Sequence, residues 1–108
     1  MDNFVVYVGV RYTLSPDADV EPLETGSDPR LQAAKKARLK TWWGRLTDGG
    51  YYFLMVGAEV GRFGSEASLA QTVPLQDLLK LGEDMRERLK AAGFEEEPAL
   101  HVQMEAEY

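Results

Sequence analysis

The sequence contains no cysteine and one histidine, His101. Without thiols, disulfides, iron–sulfur clusters and thiolate zinc sites are excluded. That absence suits a reducing compartment, so a cytoplasmic location is expected. No apolar run is longer than a strand, and no segment is expected to span a membrane. Met1-Asp2-Asn3-Phe4 has no basic stretch ahead of an apolar one, so no signal peptide is expected. Basic charge is the minority sign: 12 Lys and Arg face 18 Asp and Glu, giving a net charge of −6. Nucleic acid is therefore not an expected partner, because its binding rests on neutralising phosphates.

Motifs of common chemistry are missing too. There is no Gly-x-x-x-x-Gly-Lys-Ser/Thr, no Gly-x-Gly-x-x-Gly and no His-Glu-x-x-His. Asp17, Asp19 and Glu21 alternate as at the start of a calcium loop. Pro22 stands where that loop needs glycine, and Asp28 where it needs a bidentate Glu. No metal, cofactor or catalytic residue is expected on these grounds.

The pattern that is present reads as one α+β domain over residues 1–108. Residues 4–13 alternate as a strand, with Phe4, Val6, Val8, Val10 and Tyr12 on the core face. Residues 14–26, with Pro16, Pro22 and Gly26, read as a long acidic loop. Asp28-Pro29 is a helix start, and Leu31, Ala34, Leu39, Trp42 and Leu46 extend the expected helix to Thr47. Residues 51–62 form a second strand with Tyr52, Leu54, Val56, Ala58 and Val60 inward. Gly57 and Gly61 within it mark a bulge or bend. Residues 67–73 give a shorter third strand. Pro74 opens a second helix on Leu75, Leu78, Leu79, Met85 and Leu89, closed by Gly93. Residues 100–108 alternate as a last strand. The order is β-α-β-β-α-β, the ferredoxin-like arrangement, with an antiparallel sheet of order 4-1-3-2 and both helices on one face. That fold hosts many functions and selects none.

Three surfaces are candidates. The expected first helix holds Arg30, Lys35, Lys36, Arg38, Lys40 and Arg45 with no acidic residue, so the remaining chain sums to −12. A solvated face accounts for such a helix, and so does an electropositive patch for an acidic partner. Trp42 and Trp43 point about 100° apart on a helix, so one is expected in the core and the other at an edge or interface. The outer sheet face carries Val5, Tyr7, Tyr51, Phe53 and Met55, an apolar patch that water rarely covers. A homodimer packed through this face is the simplest cover. RNA recognition is disfavoured: the short third strand has no aromatic for stacking, and no segment has the Lys/Arg-Gly-Phe/Tyr-Gly/Ala-Phe pattern. Tyr7, Arg11, Glu59 and His101 share that face and could cluster for proton transfer.

The expectation is a small non-enzymatic binding or regulatory module acting through protein–protein association. An immunity- or inhibitor-type protein is one form, with Asp17, Asp19, Glu21 and Glu24 facing a basic target. The alternative is a dimeric small-molecule binder or enzyme with a pocket between sheet and helices, lined by Tyr7, Arg11, Trp42 and His101.

Overall fold

The computed structural model describes residues 3–45, 51–64 and 70–104, with only the backbone of 16–19. The elements are β1 (Phe4–Leu14), α1 (Pro16–Thr25), α2 (Pro29–Lys36), β2 (Lys40–Arg45), β3 (Tyr52–Phe63), α3 (Leu75–Ala91) and β4 (Ala99–Met104). The four strands form one antiparallel sheet in the order β2-β3-β1-β4. No helix among the described residues is long and apolar enough to cross a membrane.

The expected ferredoxin-like fold with two helices does not hold. The order β2-β3-β1-β4 is 4-1-3-2 read from the other edge, but different segments fill it. The strand beside β1 is β3, expected at the edge, and the edge is β2, expected as helix. Residues 70–73 are not strand, and 65–69 lie outside the described residues, as do Leu46, Thr47 and 105–108. The first crossover holds two short helices where one was expected. Ser15 precedes Pro16, whose missing N–H is harmless at a helix start, and α1 continues through Pro22.

The change from α2 to β2 has a local cause. Ala37 caps α2, and Arg38 takes the left-handed conformation at φ 59°. The Leu39 N–H donates to the Ala34 carbonyl at 2.8 Å, and the Arg38 N–H donates to that of Lys35 at 3.1 Å. This is a Schellman closure with arginine in the position glycine usually takes. Arg88, from α3, holds it by donating to the Ala37 and Arg38 carbonyls at 3.2 and 2.8 Å. Beyond it, Thr41, Trp42 and Trp43 have strong strand preference. Gly93, at φ 97°, closes α3 the same way through Phe94 and Leu89.

The main core lies between the sheet and the helices. Val8, Val10 and Leu14 of β1 meet Leu54 and Val56 of β3, covered by Leu23, Ala34, Met85 and Leu89. The opposite face has its own core of Val5, Tyr7, Phe53 and Met55, with Trp42 packed on it. The sheet bends to make that core. Gly9 and Gly57 are partners, and a Cβ on either would collide with the backbone carbonyl oxygen of Val56 or Val8. Arg11 Nε donates to Gln103 Oε1 at 2.9 Å, although Gln103 is the partner of Val5. Six residues of straight strand separate Arg11 from Val5 by roughly 20 Å, about twice what the two side chains reach together. The strand therefore folds toward this face around Gly9. The register also slips at Val6/Tyr7, leaving Val60 as the extra residue of a bulge.

Candidate functional site

The concave face gathers most of the residues expected to be functional. Tyr7 crosses β3 at Gly57, and its hydroxyl donates to the Lys40 carbonyl at 2.7 Å. The Trp42 ring meets Phe53 edge-on at 4.8 Å, and the Arg11 guanidinium sits 5.7 Å above Phe53. His101 pairs with Tyr7 along β4, and its Nε2 lies 3.0 Å from the Gly9 carbonyl oxygen. Arg11 reaches Gln103 and Thr13 and does not bond His101, while Glu59 is taken by Arg62 at 3.1 Å. Burial first, and the Glu59 charge second, push the Tyr7 phenol above its ordinary range, against a Gly57 backbone bond that pulls it down. A phenol held neutral in this way is no general base near neutral pH. These contacts pack the cluster tightly. One polar atom in it, Gln103 Nε2, is buried without a partner among the described residues.

Four expectations change here. Val5, Tyr7, Phe53 and Met55 do face away from the helices, yet each is buried within one chain. Tyr51 stands exposed before β3 and outside that core. Tyr7, Arg11, Trp42 and His101 cannot line a pocket between sheet and helices, because all four lie on the opposite face. Trp42 and Trp43 are adjacent strand residues and point to opposite faces. Trp43 packs on the main core beside Tyr52, and both tryptophans are half-buried.

A second cluster was not foreseen. Tyr12 donates to Glu96 Oε1 at 2.7 Å, and Arg30 lies 5.0 Å over the Tyr12 ring. Asp28 is buried and caps α2, accepting from the Arg30 N–H at 2.8 Å and from its guanidinium at 3.0 and 2.8 Å. The Arg30 hydrogen bond holds the Asp28 carboxyl below its usual range, against its burial. Burial and the Glu96 bond raise Tyr12. The cluster ties the end of β1 to the start of α2 and to the connection before β4. Only the Asp28-Pro29 cap was visible locally; the Tyr12–Glu96 pair spans 84 residues.

The two sheet edges, which pair with no other described strand, differ most from ordinary surface. On the helix side of β4, Leu100, Val102 and Met104 are 52, 62 and 50 % exposed. Leu79 of α3, 61 % exposed, shares a shallow groove with Leu100, and Leu75, one turn earlier on α3, is 71 % exposed. A row of exposed apolar side chains along one strand is the kind of surface that marks an interaction site. No other described strand pairs with the outer edge of β4, and no Lys or Pro stands inside it. At the other edge, a cavity of about 780 Å³ opens between α2 and β2. Leu31, Leu39 and Trp43 form its apolar walls, and Lys35 and Lys36 its rim. Glu21 and Glu24 stand exposed on α1, while the side chains of Asp17 and Asp19 lie outside the described residues.

Comparison with known proteins adds no family: no family model, no curated protein and no solved structure matches the chain.

Proposed function

We propose that the chain is an association module and that its working surface is the open β4 edge with the α3 ridge beside it. The reading rests on one observation, the exposed row Leu100, Val102 and Met104 on an unguarded edge strand next to exposed Leu75 and Leu79. Edge strands recruit other strands through backbone bonds, and alternate side chains supply specificity. The locked concave face and the raised phenols speak against acid–base chemistry in the two polar clusters.

A photo-crosslinking side chain at Val102 tests the reading in cells producing the protein. A discrete adduct is expected at Val102 and none at exposed Glu24 of α1. No adduct at Val102, or equal adducts at both positions, would refute it.

A further inference from the structure

We infer that the strand received by β4 is β2 of a second copy, joined head to tail. This rests on the reading of β4 as the association surface.

Charge supports that occupant. Residues 29–47, which contain β2, carry six basic side chains and no acidic one. Residues 93–104, which contain β4, carry Glu95, Glu96 and Glu97 and no Lys or Arg. Arg86 of α3 takes up Glu97 at 3.0 Å, and Glu83 lines the groove beside Leu79. A two-fold pairing of β4 with β4 sets acidic segments against each other. A two-fold pairing of β2 with β2 sets basic segments together. Only the mixed contact joins opposite signs, and like charges set against each other disfavour the two alternatives.

Geometry agrees. Each edge strand has six residues. Their directions are opposite, so the new pair is antiparallel like every other pair in the sheet. The helices then stay on one side. The exposed Leu75–Leu79 ridge of one copy comes beside the α2–β2 cavity of the next, with Glu83 near the Lys35–Lys36 rim. Lys40 is level with Gly9 through Gly57, and Ala99 is level with Gly9 directly. The two edges therefore occupy opposite halves of β1. Full pairing displaces each copy by about five residues, roughly 17 Å, along the strand. Such a contact is heterologous, so it builds a ring or an open row instead of stopping at two.

Two variants, each blocked at one edge, test this by sedimentation. The K35E/K36E double variant keeps β4 and loses the basic rim; V102K keeps the basic rim and blocks β4. All three residues are exposed, so both variants should fold, which circular dichroism checks. If V102K does not fold, Leu79→Gln replaces it. Wild type is expected to exceed monomer mass by at least twofold, rising with concentration and falling with salt. Each variant alone is expected at monomer mass, and their equimolar mixture at twice that mass and no more. Dimers of K35E/K36E alone would overturn the inference in favour of two-fold β4 pairing. A monomeric wild type, or a mixture that stays monomeric, would also overturn it. If the Val102 crosslink captures a different protein, the inference falls and the association reading stands. If it captures nothing, both fall.

Discussion

Gly57→Ala is the most demanding test of the bent sheet. Gly57 has φ 156°, and a methyl there would meet the Val8 carbonyl oxygen. Its obstacle is backbone of the central strand pair, which no rotamer change relieves. Strained backbone costs about 1–3 kcal/mol, and forced overpacking about as much again. We expect a loss of about 3–5 kcal/mol, a large part of the roughly 5–15 kcal/mol that holds a domain folded. Tyr7→Phe is the internal comparison. It keeps the ring across Gly57 and removes the hydroxyl's bonds to the Lys40 carbonyl and the Gly57 backbone, so a loss of about 1–2 kcal/mol is expected. Urea unfolding followed by the fluorescence of Trp42 and Trp43 gives both values. G57A within about 0.5 kcal/mol of wild type, the range of an ordinary surface change, would refute the close approach of β1 and β3. Y7F as damaging as G57A would refute the assignment of the strain to the backbone.

Other consequences follow from the same contacts. Arg38→Gly should stabilise the chain by up to about 1 kcal/mol, since glycine adopts the left-handed position without strain; a clear loss in chemical denaturation would contradict the Schellman closure. Asp28→Asn keeps an N-cap but removes the charge paired with Arg30, and a loss of about 1–2 kcal/mol is expected at pH 7. Because the folded Asp28 carboxyl is depressed, its contribution is present above an unfolded pKa of about 3.9 and fades as pH falls further. The gap between wild type and D28N in unfolding free energy should therefore close below about pH 4; a gap constant down to pH 2 would contradict this. Gln103→Glu replaces the unpartnered amide with a second acceptor for Arg11. A gain of about 1 kcal/mol at neutral pH is expected, and a loss would show that the amide has a partner.

How far the sequence could be read depended on whether the cause was local. β1, β3 and α3 announced themselves through alternation, through the 75–89 apolar spacing and through Gly93. The bulge and bend were signalled by Gly57 and Gly61. The end of α2 was not, because its left-handed residue is an arginine and its stabilising donor, Arg88, is 50 residues away. With no Gly or Pro to stop it, the apolar spacing runs on to Leu46, and the basic segment looks like one helix when it is a helix and an edge strand. The error in α1 is the reverse: two prolines and a run of carboxylates obscured ten helical residues. The buried outer face was illegible for a global reason. Alternation places Tyr7, Phe53 and Met55 on that face correctly but cannot say that the face folds on itself. Once it does, the apolar surface left over moves to Leu100, Val102 and Met104, whose alternation marks a strand but not their exposure.

Hydrogen exchange along β4 reads the edge contact amide by amide. Among the described residues, β4 pairs with β1 alone, so in a lone chain the amides of 99–104 that point away from β1 are expected to exchange freely. If the β4 edge joins the β2 edge of another copy, those amides and the outward ones of 40–45 gain protection together as concentration rises, and V102K abolishes the gain at both. Outward β4 amides that exchange freely at every concentration would contradict the account.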